Sequence, residues 1–368
     1  MKTNFLKPLS IVHYSLSVLI LASCSPNDPT PTQPYDSGVI VINAGNFTDN
    51  NGTLSLLKRE DKTATYDIFQ KENMRSLSGS LSGYAEANEK GIILVDNSSA
   101  GKDAVEIVDA HTFKSIATIG NGEIENPRNV VKATDKKAYI TCWDVNGDFS
   151  NFFKNPGYVA VIDLTTNKLV KKITVENSAE SIVIIGSEAY VGSSGAYKST
   201  ISVIDINTDT VKQTVNVGSD PEVIGVDANN KLWLYAGGKL VKFNTSSKTA
   251  EASMTITSSN KEKSPSSFVL SADKKSIIFS YSFYDAADNW KQKGETYSFS
   301  IGATTISAEK PFINRLFSGV AVDAKTGNVY AGLTPSYKQA GYVFRYKSDG
   351  VLIDSVKAEI APSKFFFK

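Results

Sequence analysis

Histidine, the side chain that most often moves protons near neutral pH, is almost absent. Of two in 368 residues, His13 lies in an apolar N-terminal stretch and His111 sits in a turn between Ala110 and Thr112. A Ser-His-Asp arrangement or a multi-histidine metal site would have to rest on His111 alone. No Walker-type phosphate loop and no Gly-rich dinucleotide fingerprint occurs. Carboxylates are plentiful, but Asp109, Asp163, Asp205 and Asp323 recur at equivalent turns, where an aspartate bonds its own backbone. Asp144, Asp148, Asp285 and Asp288 are the acids left over in long loops, the candidates for a two-carboxylate glycoside chemistry or a lyase. These patterns point away from an enzyme, from a catalytic cofactor and from a protein-held metal.

What the chain offers instead is recognition chemistry. Long loops at 44–52, 143–156, 192–200, 281–294 and 334–341 carry Asn46, Phe47, Trp143, Phe152, Phe153, Tyr197, Tyr284, Trp290 and Tyr337. Segments leading into later strands add Arg75, Arg128 and Arg315. Aromatic residues are poor turn formers and costly to leave in water. Their concentration in loops therefore indicates a platform for a broad, partly apolar ligand, oriented by Arg and Asn hydrogen bonds. The competing explanation for any single ring is that it packs beneath its own loop.

The elements that must position these loops form a repeat. From Glu188 to Val226 the chain reads as four short strands rich in β-branched residues, at Ala189–Val191, Ile201–Ile206, Val211–Val217 and Glu222–Val226, separated by Asn, Asp, Gly and Pro turns. The pattern recurs with a spacing of about 40 to 50 residues, the spacing of propeller blades. Second strands align at Val39–Ile42, Ile92–Val95, Ala138–Thr141, Ala189–Val191, Leu232–Leu234, Ile277–Phe279 and Val329–Ala331. The expected fold is all-β: a seven-bladed β-propeller of four-stranded antiparallel blades. The first copy lacks an inner strand, and the chain ends on a lone one, Ser363–Phe367. The C-terminal strand should therefore complete the N-terminal blade and close the ring.

Ahead of the repeats, Lys2 and Lys7 precede an apolar run, Leu16–Leu21, that ends in Leu21-Ala22-Ser23-Cys24. The run is too short to span a bilayer, and the closing Cys has the form of a lipobox, so residues 1–23 read as a lipoprotein signal peptide and Cys24 as the lipidated residue. Residues 24–37, with Pro26, Pro29, Pro31 and Pro34, read as an extended tether. Residues 38–368 form the propeller. Cys142 is then alone, with burial its expected state. The net charge of +1 and the lack of a basic stripe argue against a nucleic-acid partner.

Ile42-Asn43-Ala44-Gly45-Asn46-Phe47, Asn126-Pro127-Arg128 and the ending Ile360-Ala361-Pro362-Ser363-Lys364-Phe365-Phe366-Phe367 resemble the YncE-like lipoprotein propellers of Bacteroidota, with Ala44 where Glu is usual. The resemblance runs from Val39 to the end, and within that group it is greatest to the BtuG branch of cobalamin-binding surface lipoproteins. It implies a monomeric propeller, anchored to the outer membrane through its lipid and exposed at the cell surface. Such a propeller captures cobalamin (vitamin B12) or a related corrinoid and delivers it to a TonB-dependent transporter of the BtuB type. The alternatives are an envelope protein-interaction scaffold, a binder of another chelate or glycan, and a carbohydrate-active propeller enzyme.

Overall fold

The computed structural model describes Met1 and residues 33–144 and 151–368. Cys24 and the leader, and Asp148 in the 143–156 loop, lie outside the described residues. Residues 33–368 gather into one compact unit. Seven antiparallel sheets follow one another along it, each sheet a blade, so the fold is the expected all-β propeller. The fourth blade shows the plan: Ala179–Ile185 innermost, then Glu188–Ser193, Thr200–Asp205 and Thr210–Asn216. Blade boundaries fall one strand earlier than the Glu188 start of the sequence repeat. Ile185 pairs with Glu188 across a tight hairpin, whereas Glu222–Val226 pairs with Leu232–Ala236 and is the inner strand of blade 5.

The other inner strands are Ser80–Ala87, Pro127–Thr134, Ser264–Leu270, Gly319–Val322 and Pro362–Phe367, of blades 2, 3, 6, 7 and 1. The last of these closes the ring. It pairs antiparallel with Val39–Asn43, the second strand of blade 1, with Ile40 opposite Phe366 and Val41 opposite Phe365.

Five sheets contain at least four strands, and in the other two the outermost place shrinks to a single bridge. In blade 1 Thr65 bridges Leu56, and the chain then turns into a short helix, Ile68–Asn73, capped by the Asp67 carboxylate on Gln70 N and buried through Ile68 and Phe69. In blade 6 the chain leaves Lys291–Ser300 and lays Ile306–Ser307 in parallel on the outer strand of blade 5 before returning to bridge Thr296 with Ile313. The excursion covers part of an edge that would otherwise present free backbone groups.

Burial explains why β-branched residues dominate the middle strands. Every residue of Val39–Asn43 is buried, because each second strand is sandwiched between neighbouring blades. The outer strands, such as Thr210–Asn216, are mostly exposed. The core is accordingly a ring of inter-blade clusters rather than one centre: Ile92, Leu94 and Ile107 of blade 2 meet Ile140, Ala160 and Ile162 of blade 3. Val39 and Val41 of blade 1 meet Tyr330 and Val343 of blade 7. Polar clasps reinforce that seam. Arg59 pairs with Asp323 at 2.6 Å, and buried Arg345 binds Asp354 at 2.5 Å and the carbonyl of Asp61 at 2.9 Å. Cys142 is buried, as expected.

Candidate functional site

Strands alternate in direction, so the links from second to third strand and from each blade to the next emerge on one face. At that end the inner strands share a defect. In blades 1 to 6 the ladder slips by one residue, leaving Ser363, Ser82, Arg128, Glu180, Ile224 and the residue before Ser267 outside the regular pairing. Such bulges re-aim side chains and backbone. They also let blades bond one another: Ser82 Oγ donates to Pro127 O at 2.5 Å, Val223 N donates to Ser181 Oγ at 2.9 Å, and Ser318 Oγ donates to Pro362 O at 2.6 Å.

Arg128 is the centre of the resulting polar cluster. Its Nε donates to Glu180 at 3.0 Å, its Nη1 lies 3.3 Å from Asp96, and its guanidinium stacks on the Trp143 ring at 4.0 Å. Burial works against the Arg128 charge, but Glu180 and Asp96 outweigh it and raise the guanidinium above its ordinary pKa. The same burial penalises Asp96 and pushes it up to about 7, against the pull of Arg128. Trp143 is also packed edge-on by Phe153 at 5.1 Å and by Phe152 at 6.3 Å. Arg128, Trp143, Phe152 and Phe153 are thus brought together as one unit.

Around this cluster stands an aromatic rim. Of the eight aromatic side chains that are strongly exposed among the described residues, six are Phe47, Phe152, Tyr197, Tyr284, Trp290 and Tyr337, all in links on this face. The loops that present them are tied down. Asn46 Oδ1 accepts from Thr48 N at 3.0 Å and Asp49 N at 3.2 Å, and Gly45, at φ +76°, leaves no room for a Cβ beside Gly52 N. Asp220 accepts from Gly195 N and Tyr197 N, and Asn177 Nδ2 donates to Phe153 O. Residues 281–294, expected as a loop, form a hairpin instead. Ser276–Asp285 pairs with Lys291–Ser300 up to Asp285 and Lys291, which lifts Tyr284 and Trp290 on a rigid two-stranded arm. Between this arm and blade 7 lies a groove of about 250 Å³ lined by Gln292, Leu316, Thr334 and Tyr337.

Three expected ligand contacts are engaged elsewhere. Arg75 turns outward to the buried Glu106 at 2.7 Å and covers the Phe69 ring. Arg315 lies over Phe344, between blades, at 4.3 Å. Asn46 uses its side-chain oxygen on its own turn and is half-buried, whereas the neighbouring Phe47 is exposed. Asp285 and Asp288 sit on one hairpin tip and share Lys293 at 2.7 and 3.1 Å, so they do not oppose each other across the channel. His111 is not a free turn residue: its Nδ1 meets Asp36 at 2.5 Å, beside buried Tyr35.

Below the rim the inner strands enclose a channel cavity of about 450 Å³. Glu180, Glu222, Asn129 and Lys364 line it with Ser181, Ser267 and Phe268. Lys364 Nζ donates to Ser82 O at 2.6 Å and Arg128 O at 3.3 Å; water reaches it, but the crowding walls lower its pKa. Burial, with Glu180 nearby, pushes Glu222 up to about 7. Asp96, Glu222, Asn129 and Lys364 were not among the site residues expected from sequence. The available signal for Glu222 and Lys364 was charge near the start of inner strands; Asp96 ends a second strand and Asn129 is uncharged, and nothing in the sequence marks either.

Fold and site together define a seven-bladed propeller with a charged channel mouth and an aromatic-rimmed face. The chain belongs to the family described as a domain of unknown function (DUF5074), whose model matches residues 37–367. No curated protein matches it. Among solved structures, it is similar to a quinoprotein alcohol dehydrogenase-like protein from Bacteroides thetaiotaomicron, at 18% identity and a TM-score of 0.62, covering 88% of this chain and 78% of that one. A functionally unknown protein from Desulfotomaculum acetoxidans matches at 12% identity and a TM-score of 0.60, over 90% and 98% of the two chains. Hydrazine synthase from Kuenenia stuttgartiensis matches at 16% identity and 0.54, over 77% and 89%. At these identities the likeness is one of fold.

Proposed function

We propose that this propeller is a non-enzymatic capture protein whose aromatic-rimmed face binds cobalamin or a related corrinoid and hands it to a TonB-dependent transporter of the BtuB type. It would act as a monomer held at the outer membrane through lipid on Cys24. The observation that carries this reading is the gathering of Phe47, Phe152, Tyr197, Tyr284, Trp290 and Tyr337 on one face, on loops fixed by their own hydrogen bonds. Exposed rings held in place lose little freedom when a ligand covers them. A corrinoid is broad, with apolar edges and a fringe of amides, too large for the 250 Å³ groove and suited to lie across the rim. Covering about 100 Å² on each of three rings would contribute roughly 7 kcal/mol at 25 cal/mol per Å². The costs of association reduce that gross figure, so micromolar affinity requires the amide hydrogen bonds and further buried area of the ligand as well. The test is calorimetric titration of the chain from Ser25 onward with cyanocobalamin, with one-to-one binding expected and no heat of binding at micromolar protein counting against it.

A further inference from the structure

The channel cavity holds an imbalance that the ring does not resolve. Of the charged groups that line it, Glu180 and Glu222 are acids and Lys364 is the cation, with Arg128 and Asp96 just beyond the wall. Arg128 is taken up by Asp96 and Glu180. The Lys364 ammonium is held by main-chain carbonyls of blades 2 and 3 and, although it faces Glu222 of blade 5 across the channel, forms no ion pair with it. Among the described residues Glu222 has no ion-pair or hydrogen-bond partner, and neither the Asn129 side-chain amide nor the Ser267 hydroxyl has a hydrogen-bond partner. These three groups, from blades 5, 3 and 6, line the same cavity. A carboxylate held in a channel wall without a partner is stabilised when it takes up a proton or a counter-cation.

We propose that the channel binds a small primary ammonium compound, with Glu222 as its counter-ion and Asn129 Oδ1 and Ser267 Oγ as the other acceptors. A primary ammonium has three N–H donors and no acceptor, which matches three acceptors drawn from three blades. The remaining wall mixes hydroxyls with carbon, and the half-buried Ile224, Val269 and Ala321 offer a surface for an alkyl chain of a few carbons. At about 450 Å³ the cavity has the volume of roughly fifteen waters at ~30 Å³ each, enough for such a chain with residual solvent. A metal ion is a poorer fit, since no group of three metal-ligating acids, histidines or cysteines occurs among the described residues. This site is separate from the rim and does not depend on what the rim binds.

The experiment is calorimetric titration of the purified chain with n-butylamine and with ethanolamine at pH 8, in sodium chloride held constant. The groups facing Glu222 are Glu180, Lys364 and Tyr235. With its carboxyl titrating near 7, affinity should fall about ninefold between pH 8 and pH 6, as the ionised fraction drops from roughly nine-tenths to one-tenth. Glu222→Gln should weaken binding at least tenfold with the fold intact, and Asn129→Leu should weaken it several-fold. Undetectable binding at millimolar amine, equal binding by Glu222→Gln, or equal competition from potassium chloride would each overturn the proposal. Failure to bind cyanocobalamin would leave it untouched.

Discussion

Deleting residues 362–368 removes the strand that closes the ring, and the cost can be worked from the hydrogen bonds and rings that this strand supplies. Five register pairs disappear, from Val39 opposite Phe367 to Asn43 opposite Pro362. At about 1 kcal/mol net for each of some five ladder hydrogen bonds, that is roughly 5 kcal/mol. Three half-buried rings go as well: Phe366 lies edge-on to Tyr84 at 5.2 Å, and Phe365 and Phe367 lie against Tyr330 at 6.1 and 5.2 Å. At about half the value of a fully buried phenylalanine each, they add roughly 3 to 4 kcal/mol. A total near 8 to 9 kcal/mol falls within the ~5–15 kcal/mol net stability of a typical domain. The truncated chain should therefore lack a cooperative thermal transition by circular dichroism and be degraded rapidly by a protease that spares the intact chain. A synthetic peptide of residues 362–368 added in trans should restore part of the transition. A truncated chain that melts within a degree or two of the intact one would refute ring closure as a source of stability.

Other consequences follow from single sites. Gly332→Ala places a Cβ 1.9 Å from the Pro362 carbonyl oxygen, a backbone atom that cannot yield cheaply, and should lower the melting temperature by well over 10 °C. Glu222 titrates near 7 in the folded chain and near 4.5 unfolded, so stability is lost as pH rises through that window and is level above it. Glu222→Gln should accordingly stabilise the chain by up to about 3 kcal/mol at pH 8 and by much less at pH 5, measured by denaturant unfolding. A gain equal at both pH values would contradict the enclosed, unpaired carboxylate. Glu188 behaves in the opposite sense. Against the cost of burial, Lys248, Tyr190 and Lys212 pull it down to about 2, so its contribution is present above 4.5 and lost as pH falls toward 2. Glu188→Gln should remove that part of the acid sensitivity, visible as a shallower loss of melting temperature between pH 4.5 and 2.

The fold was legible because burial on both faces forces β-branched runs into every second strand, and those seven runs appear plainly from Val39–Ile42 to Val329–Ala331. The unmatched inner strand at the C-terminus showed how the ring closes. The frame of the blades was less visible: Gly186-Ser187 and Gly218–Pro221 are both turn-like in composition, and only pairing shows that the first is a hairpin and the second a crossing between blades. The arm at 281–294 was hidden because it lengthens one repeat, and its alternation of Tyr281, Phe283 and Lys293 with Ser282 and Gly294 reads as irregular without the ladder. Loop position gave the face on which Arg75 and Arg315 start but not the direction of their side chains. Buried Glu106 draws Arg75 outward, and Phe344 draws Arg315 between blades. The bulges that set Arg128 and Glu180 at the channel mouth depend on inter-strand register, which periodicity along one strand does not encode.

Capture on the rim is tested most directly by equilibrium dialysis of cyanocobalamin against three chains: the wild type, the double variant Tyr197→Ala with Trp290→Ala, and Tyr66→Ala, whose exposed ring lies off the rim loops. One corrinoid should be retained per wild-type chain and the same for Tyr66→Ala, with affinity at least tenfold weaker for the double variant. Absence of retention by the wild type, or retention unchanged by loss of both rim rings, would contradict capture on this face.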